Sequence, residues 1–90
     1  SRPYGDSAWD GKPAAIMGAS GGNIATARAQ YDLRKMMVFL NMFPINKPEV
    51  MIGGAASKFD ADGNLTDETT CGFILEMLRS LVSWTKRLSE

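Results

Sequence analysis

Apolar residues fall into blocks of two different periods along the chain. Residues 14–18 (Ala-Ala-Ile-Met-Gly) form a short uninterrupted apolar run bounded by turn residues. That is the pattern of a strand buried on both faces in a parallel sheet. From about Asn23 to Asn41 the period becomes helical. Ile24, Ala27, Tyr31, Met37 and Leu40 recur near every 3.6 residues, with Arg28, Asp32, Arg34 and Lys35 mostly between them, which predicts an amphipathic helix. Asn23 is its expected cap, through a side-chain oxygen that accepts a free N–H of the first turn. Pro44 closes the helical option, having no N–H to donate.

Residues 48–53 (Pro-Glu-Val-Met-Ile-Gly) read as a second short strand. A polar connection over 54–66 follows, with a turn at Asp62-Gly63-Asn64 where glycine supplies a positive φ. Thr66 or Asp67 then caps a second helix reaching about Leu88. Its stripe is Ile74, Met77, Leu78, Leu81, Trp84 and Leu88, and Lys86 and Arg87 suit the negative end of its dipole. The leading residues 1–13, punctuated by Pro3, Gly5 and Pro13, read as a loop anchored by Tyr4 and Trp9. The order strand, helix, strand, helix predicts one α/β domain over 1–90 with a parallel strand pair.

Composition narrows the chemistry. Ninety residues sit near the lower limit for an independently stable core. Ten basic residues balance ten acidic ones, so nothing points to nucleic acid or anionic lipid. Apolar runs are too short to span a membrane. One cysteine, Cys71, allows no intrachain disulfide and fits a reducing cytoplasm, the expected compartment. Histidine is absent, which removes the commonest general base and transition-metal ligand; no metal site is expected. The opening Ser1-Arg2-Pro3-Tyr4-Gly5 lacks an initiator methionine and suggests a segment of something longer.

The turn Gly18-Ala19-Ser20-Gly21-Gly22, between the first strand and first helix, is the main candidate site. It matches the G-x-S-x-G elbow of serine hydrolases, but Ser20 then needs a base, and there is no histidine to serve. A P-loop requires Lys-Ser or Lys-Thr where Asn23-Ile24 stands, and the dinucleotide pattern G-x-G-x-x-G is missing. Two readings stay open: a loop lining a planar ligand such as a flavin at the carboxyl end of a parallel sheet, and a plain tight turn. Spacing alone favours the plain turn.

The wider string carries more. Arg-Pro-Tyr-Gly at 2–5, Gly-Lys-Pro at 11–13, Gly-Ala-Ser at 18–20, Ala-Arg-Ala-Gln-Tyr at 27–31, Pro-Glu-Val-Met-Ile at 48–52 and Phe-Asp-Ala-Asp-Gly at 59–63 stand in order along nearly the whole chain. Together they resemble the carboxyl-terminal half of the NADPH-dependent FMN reductase family, in the branch with chromate and quinone reductases. The resemblance implies part of a flavodoxin-like doubly wound sheet, with 14–18 as its fourth strand and 48–53 as its fifth. It implies FMN as cofactor, with Ser20, Gly21, Gly22 and Asn23 beside the flavin ring through backbone groups. It further implies NADPH as hydride donor and a quinone-type acceptor, the flavin carrying the redox chemistry. No residue of this chain is thereby assigned to catalysis.

The same resemblance places Arg28, Tyr31 and Glu49 in a polar network at a subunit contact, with solvated surface charges as the plain alternative. The family's phosphate loop and its Pro-Glu-Tyr-Asn loop have no counterpart in these residues, and Ser20-Gly21-Gly22 stands where many relatives carry Ser-Pro-Gly. The chain alone is therefore expected to bind FMN weakly and to be inactive. It is also expected to form oligomers, because its first strand would keep an unpaired edge. The alternatives are a non-catalytic half-domain that only associates with itself or a missing amino-terminal half, and, third, a small serine esterase using Ser20.

Smaller signals read as structural. Asp60-x-Asp62-x-Asn64 opens like a calcium loop, but glycine stands fourth and Cys71 occupies the twelfth position, so a turn is expected. Met36, Met37 and Met77 are expected to fill the core. Cys71, without a neighbouring base, is expected to be a bystander.

Overall fold

The computed structural model describes residues 7–22 and 24–90. Its elements are β1 (Pro13–Ala14), β2 (Met17–Ala19), α1 (Ala27–Phe39), β3 (Phe43–Pro44), β4 (Val50–Ile52), a 3₁₀ turn (Ala55–Ser57) and α2 (Glu68–Leu88). β1 pairs parallel with β3, and β2 pairs parallel with β4. The single strand expected at 14–18 is thus two short ones, because its partner is interrupted. Phe43 N–H donates to the Lys12 carbonyl and Ile45 N–H to that of Ala14, after which 45–49 leaves the ladder. β3 was not foreseen: a two-residue strand containing Pro44 gives no periodicity to read.

α1 is shorter than the expected 23–41. Ala25 adopts a positive φ of 57°, which ends helical geometry on the amino-terminal side. Thr26 is the cap and makes no side-chain capping bond; its hydroxyl accepts from Gln30 Nε2 at 2.7 Å. The expected cap Asn23 lies outside the described residues. At the other end, Asn41 has φ 55°, its N–H reaches the Val38 carbonyl, and Met42 N–H reaches that of Met37. This is a Schellman ending with Asn in the usual glycine position, so α1 stops before Pro44 is reached.

α1 also presents a different face from the one its apolar spacing suggested. Met37 is buried and Ala27 and Leu40 are half-buried, as expected, but Gln30, fully buried, and Arg34, half-buried, also turn inward. Ile24 is 63% exposed, Tyr31 is exposed, and Met36, expected in the core, is 60% exposed. Polar side chains turn inward because carbonyls wait there. Gln30 Nε2 donates to Val50 O at 2.8 Å and Arg34 Nη1 to Ile45 O at 3.1 Å. Buried carbonyls between short strands need such donors.

α2 follows its sequence closely. Asp67 is the cap, its carboxylate accepting Thr70 N–H at 2.9 Å and the Thr70 hydroxyl, with Glu68 in the first turn and Lys86 and Arg87 in the last. Met77 is buried and Ile74, Leu81, Trp84 and Leu88 are half-buried, whereas Leu78 is exposed, contrary to the expected stripe. The core joins Ile45, Val50, Ile52 and Met77, flanked by Ala15, Ile74 and Trp84. Trp84 Nε1 donates to Phe43 O at 2.7 Å and ties α2 to β3.

The helices cover opposite sides of the sheet. Val50 and Ile52 pack on Met77 of α2. Gly18, level with Met51 between them, points the other way: a Cβ there would lie 2.6 Å from Thr26 Oγ1 at the start of α1. No helix among the described residues is long and apolar enough to cross a membrane.

Two expectations follow. Gly18→Ala is expected to lower the unfolding free energy by about 1–3 kcal/mol, because the methyl overlaps Thr26, measured by urea denaturation. Hydrogen bonds from Thr70 hold the Asp67 carboxyl below its ordinary range. A depressed folded pKa means that this stabilisation is present above the unfolded value, near pH 4, and is lost as pH falls through the folded value. Asp67→Asn keeps a capping oxygen without the titration. It should therefore lose less stability than the parent between about pH 5 and pH 2, read from the same denaturation at each pH.

Candidate functional site

The carboxyl ends of β2 and β4 lie side by side, and the chain leaving each is bonded to the other. Ser20 N–H donates to Ile52 O at 2.9 Å, closing the ladder. Ala55 N–H then donates to Ser20 O at 3.0 Å and Gly54 N–H to Gly22 O at 3.4 Å. Gly54, with φ 54°, starts the 3₁₀ turn, and Ser57 Oγ donates back to Gly54 O at 2.9 Å. The glycine-rich turn read from sequence is thus paired with a second loop, 53–57. No local pattern announced it, because the pairing joins residues more than thirty positions apart.

Within the turn, Ser20 is half-buried and its Oγ accepts the Gly22 N–H at 3.1 Å. The hydroxyl serves its own turn, and no hydrogen bond joins it to a base among the described residues. Lys58, the cation that follows the paired loop, donates to Gly53 O at 3.2 Å instead. Gly21 and Gly22 are exposed; a Cβ on Gly21 would meet nothing within 4 Å, and one on Gly22 only Ser20 Oγ at 3.8 Å. The backbone here is an exposed shelf at the strand ends. Asn23, the last residue assigned to it, lies outside the described residues.

The second candidate group stands apart from that shelf. Tyr31 Oη donates to the Glu49 carboxylate, 3.0 and 3.2 Å from its two oxygens. Arg28 lies one turn earlier on α1 and is exposed. Hydrogen bonding to Glu49, then its negative charge, pushes the Tyr31 phenol above its ordinary range. Sequence reasoning missed Gln30 and Arg34. The signal was present in the four-residue steps Thr26, Gln30, Arg34, a polar line on one helix face.

The remaining acidic motif is a turn. Asp60 Oδ1 accepts the N–H groups of Asp62 and Asn64, both at 2.9 Å, while Oδ2 accepts Asn64 Nδ2 at 3.2 Å. Those bonds, led by that from Asn64, hold the Asp60 carboxyl below its ordinary range. Among the described residues no three His, Cys, Asp or Glu side chains converge as a metal site. Cys71 is free and exposed. A groove of about 290 Å³ runs along β4, bordered by Met51, Lys58, Asp67 and Phe73, and residues 20–22 do not line it.

Comparison with known proteins decides the family. NADPH-dependent FMN reductase matches residues 1–57. The chain belongs to the NADPH-dependent FMN reductase family. It is 51% identical over 88 residues to an NAD(P)H-dependent FMN reductase of Pseudomonas aeruginosa, covering 98% of this chain and 47% of that protein. It is 44% identical over 90 residues to an NADPH:quinone oxidoreductase of Arabidopsis thaliana, covering 98% and 44%. Among solved structures it matches the flavoenzyme NAD(P)H:(acceptor) oxidoreductase FerB of Paracoccus denitrificans with a TM-score of 0.82 at 37% identity, covering 96% of this chain and 47% of that one.

The fold is accordingly part of a flavodoxin-like α/β domain, as the sequence resemblance implied. The chain spans about half the length of the relatives it matches.

One measurement checks the polar pair. The Tyr31 phenol should ionise at higher pH in the parent than in Glu49→Gln, which removes the charge that raises it, followed by NMR of ring-labelled tyrosine. Equal titration midpoints would show that Glu49 does not set this group.

Proposed function

We propose that this chain contributes one wall of the flavin site of an NAD(P)H-dependent flavin and quinone reductase. The observation that carries the reading is the Ser20–Gly22 shelf. It stands at the carboxyl ends of two parallel strands, is held by bonds from Gly54 and Ala55, and has a Gly21 backbone open to approach. Open α/β sheets place their ligands at this position. FMN, when bound, supplies hydride acceptance and two-electron transfer. The chain's own residues orient it: in this reading Ser20, Gly21 and Gly22 line the ring edge through backbone groups. Glycine permits that close approach because no Cβ stands in the way.

NADPH as donor and a quinone as acceptor are inferred from the relatives, an NAD(P)H-dependent FMN reductase and an NADPH:quinone oxidoreductase. Arg28, Tyr31 and Glu49 are proposed as a subunit contact of a homo-oligomer in the cytoplasm. The Tyr31–Glu49 bond supports this, because it fixes a donor and an acceptor on an exposed surface.

A half-domain that only associates is the second reading. It is favoured by Val38 and Phe39, about four-fifths exposed on α1. Fluorescence titration of FMN tests how much of the flavin site this chain carries. One wall of a pocket leaves most of the flavin in water, so the chain alone should bind more weakly than about 1 μM. Micromolar or tighter binding would show that these residues hold the flavin unaided.

A further inference from the structure

The Ser20–Gly22 turn belongs to a span with two anchor points. The chain leaves the sheet after Ala19 and meets it again at Thr26, which lies against Gly18. The near anchor is the ladder itself, where Ser20 N–H donates to Ile52 O. Among the described residues β4 is the sole strand paired with β2, so the near anchor is supported from one side and the other edge of β2 is open. Two bonds from the 53–57 loop brace the turn, and the one that reaches Gly22 is long, at 3.4 Å. The position of Gly22 therefore depends on the far anchor.

At that anchor a Cβ on Gly18 would lie 2.6 Å from Thr26 Oγ1, so the threonine sits directly on the β2 backbone. Gln30, one turn along α1 and 4% exposed, reaches back to it. Its Nε2 donates to Thr26 Oγ1 at 2.7 Å and to Val50 O at 2.8 Å. One buried amide thus ties the residue that begins α1 to β4 while that residue rests on β2. Ala25, next to it, is held at φ 57°. That conformation costs an alanine energy and persists where the surroundings leave no alternative.

Stability alone does not account for this arrangement. Gln30 Oε1 is buried and makes no hydrogen bond among the described residues, and a buried acceptor left unpaired is costly. An apolar side chain of the same length would avoid that cost. Backbone strain and an incompletely satisfied buried amide, side by side, mark a geometry kept for a purpose other than packing.

We infer that Gln30 is a positioning residue for the Ser20–Gly22 turn. Through Thr26 it fixes the far end of the span, so the Gly21 and Gly22 backbone is ordered before any ligand arrives. It touches no ligand itself. A loop ordered in advance loses less conformational entropy on binding. This consequence for binding rests on the proposed flavin site, whereas the ordering of the turn does not.

Backbone nitrogen-15 relaxation of the 90-residue chain tests the role, because order parameters report motion within the folded state rather than global stability. Gly21 and Gly22 should be nearly as ordered as α2, at about 0.8. Gln30→Met keeps the side-chain length and removes the donor. It should drop both glycines below about 0.6 while α2 stays near about 0.85. Thr26→Val keeps the shape against Gly18 and removes the acceptor, and it should do the same. Thr26→Ser should behave like the parent.

Mobile glycines in the parent would overturn the proposal, as would glycines that stay ordered in Gln30→Met and Thr26→Val. Loss of order throughout α2 as well would assign Gln30 a general packing role instead. If Gln30→Met loses its helix content by circular dichroism, Thr26→Val decides alone. FMN titrated into the same samples separates this role from the flavin reading. The Gly21 and Gly22 amide signals should shift, and Gln30→Met should need about tenfold more FMN. No shift in the parent would count against the flavin site, and the order parameters would still decide the role of Gln30.

Discussion

Backbone pairing of Met17–Ala19 with Val50–Ile52 is the constraint from which the other features of the molecule take their positions. It aligns two strands in parallel, so their carboxyl ends coincide and the loops leaving them can bond to each other. Because side chains alternate along a strand, the register also decides which residues each helix meets. Val50 and Ile52 turn to Met77, and Gly18 turns to Thr26. A one-residue slip would turn Val50 and Ile52 away from α2, or set the start of α1 against a residue with a Cβ.

The helix between the paired strands is held by polar chemistry as much as by apolar contact. Gln30 and Arg34 supply donors to the carbonyls of Val50 and Ile45, at the two ends of the segment where the strand ladder is interrupted. These bonds substitute for the missing ladder hydrogen bonds. They also explain why α1 turns a glutamine and an arginine inward and leaves Met36 and Ile24 outside. On the other face, Trp84 combines apolar packing with a donor to Phe43 O, the use to which a half-buried indole is suited.

The proposed flavin-facing role and the open flank belong to the same geometry. Flat ligands sit where parallel strands end, and the Ser20 shelf is such an end. The bare edge of β2 is the side on which further strands would extend that crevice. Beyond the other strand, Lys58 donates to the carbonyl of Gly53, just past the end of β4.

α2 could be read from its residues because every signal in it is local: an Asp67 cap, an apolar stripe, and basic residues in the last turn. The Asp60–Asn64 turn was legible for the same reason, since its carboxylate bonds within four residues. The glycine-rich turn was placed correctly after a strand, but the 53–57 loop that fixes it came only with the fold. The inward turn of Gln30 and Arg34 on α1 was missed, as their partners lie twenty and eleven residues away. Exposure of Leu78 and Met36 was equally hidden, since hydrophobic spacing marks a face to be covered without saying what covers it. The sequence by itself determined the element types, the turn chemistry and the family. Tertiary structure decided which polar side chains are buried, which loops meet and which edge stays open, because those depend on partners distant along the chain.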